Sequence, residues 1–378
     1  MAQRADDVST YDYIIIGGGT SGAVAARRLA ENNINFSVCL LEAGPSNHDI
    51  TISHIPGGRF SMYKTSLDWC YQTVPQKGCN NRTMAVPRGR LLGGCSAIND
   101  TFVTRGTKAD YDRIADMGNP GWSWKEMLPF FKASETFHST EWHQADLDIH
   151  GTDGPLHISM TPLAPISEKI LESFIDNGFD YKPDMFVQGD YEGIGHIGRT
   201  VYNDGLPYNP INGEGVFTVN TFLCGPQARG TVRLLSKDPI SKPIIDHAYL
   251  DNDLDVAVLA EGCRLCHEII MKGRGTKDII VGAWPKIISH PNDMIGWKEH
   301  VRTFASSGSH PAGTCKMAPE SDPMGVVDSR LRVRNVKGLR VADISILPIL
   351  NNGHPQILAY AIGEKVASMI LQDVDVSK

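Results

Sequence analysis

The chain has 378 residues, a net charge of −7, 41% hydrophobic and 21% charged residues. That composition excludes a mainly disordered chain, and the length suits two domains. The acidic balance argues against nucleic acid as the main partner. No apolar run reaches the ~18 residues of a membrane span, and the opening MAQRADDVSTYDY lacks the apolar core of an export signal. The expectation is a cytoplasmic protein with no membrane partner, its eight cysteines held as thiols.

In chain order, Tyr11 to Ile16 reads as a short buried strand, followed by GGGTSG, a helix over AVAARRLAEN, and a second strand in FSVCLLEAG. Gly17, Gly19 and Gly22 thus follow a strand and open a helix, and Glu42 ends the next strand. This is the dinucleotide-binding fingerprint in its proper context. Gly17 allows the tight turn. Gly19 lets a pyrophosphate approach the backbone N–H groups at the helix start. Gly22 permits close helix–strand packing, and Glu42 accepts from a ribose hydroxyl. The fingerprint alone does not choose between NAD and FAD.

The glycine-rich stretch Pro87 to Arg105 suits a buried loop facing a ligand. Two helical pieces follow, divided by NPGWSW. Glu135 to Pro155 is polar, and His138, His143 and His150 within it read as solvated loop histidines, with no metal site. Ser167 to Ile175 reads as an amphipathic helix, and Asp180 to Asn220 has poor periodicity. GTVRLLS reads as a strand, with helices around 254–271 and 291–303. The run Cys263-Arg-Leu-Cys266-His267 spells a haem-attachment pattern, but it lies inside the amphipathic stretch Asp255 to Ile270 and is read as chance. KGLRVADIS reads as a strand and PQILAYAIGEKVASMI as a helix. Two loop histidines, His310 in SSGSHPAGTCKM and His354 in NNGHPQ, are the side chains best placed for proton transfer near neutral pH.

These segments resemble the glucose–methanol–choline (GMC) flavoprotein oxidoreductases, most nearly the fungal-type alcohol oxidases and dehydrogenases. The resemblance rests on YDYIIIGGGTSGAVAARRLAE, GRLLGGCSAIND, RGTKADYD, GWSWKEMLPFF, GPQARGTVRLLSKDP, HPAGTCKM and GHPQILAYAIGEKVAS, in family order. It implies an α/β fold: a Rossmann-like FAD-binding domain with a parallel sheet, plus a substrate domain with a mainly antiparallel sheet. It divides the chain into residues 1–205 and 216–372, with segment 305–372 returning to the FAD domain. It implies FAD as cofactor, held by Gly17, Gly19, Thr20, Ser21, Gly22, Glu42, Ala43, Gly94, Asn99, Phe102, Asp343 and Pro355. It makes His310 the catalytic acid/base and His354 its partner. The implied reaction takes an alcohol to an aldehyde or ketone by hydride transfer to flavin, with O2 or a quinone-like compound as final acceptor. The alternatives are a flavin-bound cyclase or dehydratase without net redox chemistry, or a truncated, inactive member.

The chain departs from the family in two main places and, mildly, at Cys95, where many relatives have Ser. Between about Gly205 and Val216 it skips a long middle block, which supplies part of the FAD domain in relatives. That loss predicts a short parallel sheet, an open adenine side and exposed apolar surface. The other main departure is Asp100–Thr101, where relatives often carry a small or apolar pair. A carboxylate there disfavours an anionic reduced flavin.

Overall fold

The computed structural model describes residues 10–31, 36–55, 57–160, 164–190, 192–200, 217–283 and 293–376. The first unit is β1 (Tyr13–Ile16), α1 (Thr20–Glu31) and β2 (Val38–Leu41), with β1 and β2 paired in parallel from Tyr13 opposite Val38 to Ile16 opposite Leu41. This β-α-β connection packs α1 against both strands, with its N-terminus just after β1. A short helix α2 (Arg59–Met62) and an antiparallel pair, β3 (Tyr71–Gln72) with β4 (Ala85–Val86), follow.

A four-stranded sheet forms the next layer. It joins β5 (Phe102–Val103), β6 (Glu135–His138), β7 (Leu156–Met160) and β8 (Gly198–Arg199) in the order β5-β8-β7-β6. Only the β6–β7 pairing is parallel; the other two are antiparallel. Between β5 and β6 lie α3 (Lys108–Asp116) and α4 (Trp124–Ser134), each opened by a capping box, Thr107 with Asp110 and Ser123 with Glu126. Helix α5 (Pro165–Asp176) joins β7 to β8. The chain continues through the antiparallel pair β9 (Thr231–Arg233) and β10 (Ile244–Asp246) to α6 (Asp253–Lys272), α7 (Met294–Phe304) and α8 (Gln356–Val376).

Helix α8 is the hub. Its Ile357, Leu358, Ala361, Ile362 and Val366 are buried in the main core with Tyr111, Trp124 and Phe131. It packs along both α1 and α4. Because α8 starts two residues after His354, this packing fixes the loop that carries the histidine. A second cluster, with Val256, Ala260, Trp297 and Val301, ties α6 to α7.

Three expectations are corrected. Segment Glu135 to Pro155 is not a solvated loop: it opens with β6, and His143 and His150 are 3% and 1% exposed. KGLRVADIS forms no strand; it makes an isolated bridge at Arg340 and leads into a 3-10 turn at Ile344–Ile346, whose N-terminus Asp343 caps. The strand Tyr13–Ile16, expected to be buried, leaves Ile14 and Ile16 exposed, because no described strand or helix covers that face. The haem-like run lies inside α6, as expected: Cys263 and Cys266 are free thiols, and the His267 ring packs 5.5 Å from that of Trp297.

The Gly205–Val216 junction lies outside the described residues. Its anticipated consequence is visible in the first unit. Among the described residues the parallel sheet has two strands, and Ile16 is 82% exposed, with Ile14 and Leu41 also exposed. No helix of the described residues is long and apolar enough to cross a membrane.

Candidate active site

The glycine turn is built by close backbone contacts. Gly17 sits at φ +101°, where side-chain-bearing residues are strained, and its N–H donates to the Leu41 carbonyl at 2.8 Å. A Cβ on Gly22 would lie 2.1 Å from the Gly17 carbonyl oxygen, so α1 reaches the turn only with glycine there. The second glycine loop docks on the first: a Cβ on Gly94 would lie 2.8 Å from the Gly19 Cα. The outer side of the turn is open. A Cβ on Gly17 would meet nothing within 4 Å, and one on Gly19 only Gly94 Cα at 4.0 Å. An open groove over the first turn of a 12-residue helix is a fitting cradle for the FAD pyrophosphate.

Glu42 has a further task that its position in the fingerprint does not reveal. Its carboxylate accepts from the N–H of Gly18 at 2.8 Å and of Gly44 at 2.9 Å, so it braces the turn. Its remaining lone pairs are left for a ribose hydroxyl. Ser21 points elsewhere: its hydroxyl donates to the Ala359 carbonyl at 2.7 Å and pins α1 to α8. Asn99 accepts from the Thr101 N–H at 2.8 Å and shapes the loop that follows Gly93 and Gly94. Asp343 is exposed and accepts from the Ser345 N–H at 2.9 Å. Asp100, the unusual carboxylate, is ion-paired with Arg59, which offsets its charge.

All fourteen proposed site residues line one cavity of about 3170 Å³. That exceeds the ~300–1,000 Å³ of ordinary ligand pockets, in keeping with a site that holds a large cofactor and lacks a covering block. His310 and His354 meet inside it, with Nε2 of His310 3.1 Å from Nδ1 of His354 and the rings nearly perpendicular at 85°. One ring donates to the other, so the pair shares a proton. Burial first, then the neighbouring His354 and Arg88, push the His310 imidazole down to about 3. Burial also lowers His354, against a weaker opposing pull from Asp100. Both rings are therefore neutral near pH 7 and able to accept a proton.

Several supports of this pair carry no sequence signal of their own. Thr104 holds His354 twice: its hydroxyl accepts from the His354 N–H at 2.6 Å and donates to the His354 carbonyl at 3.1 Å. Asp110 accepts from the N–H and side-chain amide of Asn352 at 2.8 and 2.7 Å while completing the cap of α3. Arg88 donates to the Ser309 carbonyl at 2.6 Å, next to His310. Thr104 and Asp110 lie within or beside RGTKADYD, so the motif marks their neighbourhood but not their partners.

The likeness to known proteins agrees with this geometry. The N-terminal GMC oxidoreductase family model matches residues 11–236 and the C-terminal one residues 226–363. The chain belongs to the GMC oxidoreductase family. It is thereby an FAD-dependent oxidoreductase by family, with FAD as its cofactor.

Among individual proteins, it is 37% identical over 215 residues to Dehydrogenase str4 of Strobilurus tenacellus, covering 56% of this chain and 35% of that protein. It is 24% identical to a pyranose dehydrogenase of Agaricus campestris in an alignment over 575 residues, covering 97% of this chain and 95% of that one. That alignment is far longer than this chain, so a long block of the relative has no counterpart here. The fold is that of a formate oxidase of Aspergillus oryzae, with TM-score 0.85 at 21% identity over 98% of this chain and 99% of that one. A fungal aryl-alcohol oxidase shares it at TM-score 0.76 and 17% identity, over 96% of this chain and 99% of that one.

Proposed function

We propose that the chain oxidises an alcohol to an aldehyde or ketone, with His310 as the base and His354 as its partner. The observation that carries this reading is the 3.1 Å contact between two neutral imidazoles in the same cavity as the dinucleotide turn. FAD, when bound, supplies the hydride acceptor and passes the electrons to O2 or a quinone-like compound. The chain's own residues do the rest. The His pair receives the substrate hydroxyl, and a His310 ring nitrogen takes its proton as the carbon gives up hydride. Burial makes the protonated ring costly, so the proton moves on readily through the shared hydrogen bond to His354. Thr104 and Asp110 hold the His354 loop in place while this happens.

The division into residues 1–205 and 216–372 belongs to the same proposal, and the packing of α8 along α1 supports the return of segment 305–372 to the FAD-binding part. The eight free cysteines support a cytoplasmic setting.

Replacing His310 with Ala is expected to slow anaerobic flavin reduction by an alcohol about 10²- to 10⁴-fold while FAD stays bound. Equal rates in variant and parent would remove His310 from the mechanism. Gly19→Val is expected to fold, since the added side chain points into the open groove, yet to lose FAD. A fully flavinated Gly19→Val protein would show that the pyrophosphate lies elsewhere.

A second reading has its own observation. The bare two-strand sheet beside the cavity favours a shortened member that holds FAD weakly and turns over nothing. Flavin content separates the two.

A further inference from the structure

A strap of irregular chain runs beside the histidine pair. Residues 217–230 form no helix or strand. The strap is fastened to α6 at two points. Asp255, 2% exposed, accepts from the N–H of Gln227 at 2.7 Å and of Ala228 at 2.9 Å. About two turns further along α6, Thr221 nests over Gly262, where a Cβ would lie 2.8 Å from the Thr221 Cγ2.

Between these fastenings the strap presents Phe222. Its ring is 5.3 Å from His354 at 75° and 6.4 Å from His310 at 23°. Phe222 nevertheless stays 48% exposed and lines the same cavity, so it keeps apolar surface uncovered beside the two imidazoles. Tyr249 and Arg88, two polar residues of the same cavity, are already engaged. The Tyr249 hydroxyl is 2.8 Å from both His247 Nδ1 and Ser307 Oγ, and Arg88 donates to backbone carbonyls of Pro87 and Ser309.

We propose that Phe222 is the specificity-determining wall of this site. It selects alcohols whose carbinol carbon bears an apolar group over polyhydroxylated ones such as sugars. This deepens the alcohol-oxidation reading and rests on it. An apolar group covering the exposed ring gains the free energy of removing both surfaces from water. A sugar in the same place gives up water at hydroxyls for which the ring offers no partner. Asp255 acts through Phe222 as a positioning residue, because its two bonds set where the strap lies.

The test uses the FAD-loaded protein with cyclohexylmethanol and D-glucose, two six-membered rings of opposite polarity. Binding is read from the shift of the flavin absorption band on titration, apart from any reduction. The parent is expected to bind cyclohexylmethanol more tightly, and Phe222→Ala to reduce that preference about tenfold. Asp255→Asn is expected to reduce it too, but to add nothing in the Phe222→Ala background.

Gly262→Ala provides a variant that keeps the fold. Alanine favours the helix while its methyl displaces Thr221, so the preference again falls. A parent that binds glucose as tightly, or a Phe222→Ala protein with unchanged preference, would overturn the inference. Selective binding of cyclohexylmethanol with no bleaching would support the wall and overturn the oxidation reading instead.

Discussion

Two histidine pairs in this molecule are withdrawn from water, and their surroundings give them opposite character. His310 and His354 face each other across 3.1 Å, and no carboxylate hydrogen-bonds either ring among the described residues. His143 and His150 instead share Asp184, at 2.9 and 3.4 Å from its Oδ1. His150 also lies 2.9 Å from Glu135, which pairs with the fully buried Arg105 at 2.8 Å. Burial alone pushes an imidazole down, as at His310. At His150 burial pulls the same way, yet the bonds to Asp184 and Glu135 overcome it and raise the group. In return, the histidines hold Asp184 well below the usual carboxylate range against the opposing effect of burial. Burial without a carboxylate makes a neutral base, and burial with one makes a structural ion network.

The comparison can be broken from either side. The largest effect is expected at the structural pair. Glu135→Ala leaves the Arg105 charge buried without its partner, and urea unfolding is expected to show a loss of about 3–5 kcal/mol. Unchanged stability would mean the network is a bystander. The next effect is at the catalytic pair. Thr104→Val keeps the side chain's shape but removes both bonds to His354, and the flavin reduction rate is expected to fall about tenfold. A variant as fast as the parent would show that α8 packing alone fixes the loop.

A further effect lies in the pH dependence of stability. His310 titrates at 6.5 in a model peptide and about 3 when folded, so between those values the unfolded chain binds more protons. Stability contributed by the neutral ring is present above pH 6.5 and is lost as pH falls toward 3. His150 works in the opposite sense, its raised folded value stabilising the protein below the unfolded value and ceasing to do so as pH rises through the folded one. The urea midpoint of the parent is therefore expected to fall more steeply from pH 7 to pH 5 than that of His310→Ala. Parallel curves would show that His310 is not held neutral by the fold.

Local features of this architecture are legible in the sequence, and distant ones are not. The glycine turn is readable because Gly17, Gly19, Gly22 and Glu42 all belong to one β-α-β unit. His310 and His354 are readable through their motifs. Their supports are hidden because Thr104 lies 250 residues from His354 and Arg88 lies 221 from Ser309. Composition misleads most at His143 and His150. A polar, His-bearing segment looks solvated, yet it is buried because Glu135 and Asp184, 15 and 34 residues from His150, satisfy it there. The apolar alternation in KGLRVADIS misleads differently: a strand needs a neighbour, and among the described residues it finds only the bridge from Arg340 to Arg332. Exposed apolar surface is legible because a missing block removes its cover, but its place is not: it falls on Ile14 and Ile16, in a strand whose run of apolar residues looks buried.

The central claim is that the shortened chain still builds a working FAD site around the His310–His354 pair. The most direct test is the visible absorption spectrum of the purified protein, with flavin counted per chain, before and after anaerobic addition of an alcohol. The account predicts close to one FAD per chain and bleaching of its band by the alcohol. A colourless protein that takes up no FAD when the cofactor is added would contradict it, and the two histidines would then be remnants of a longer enzyme.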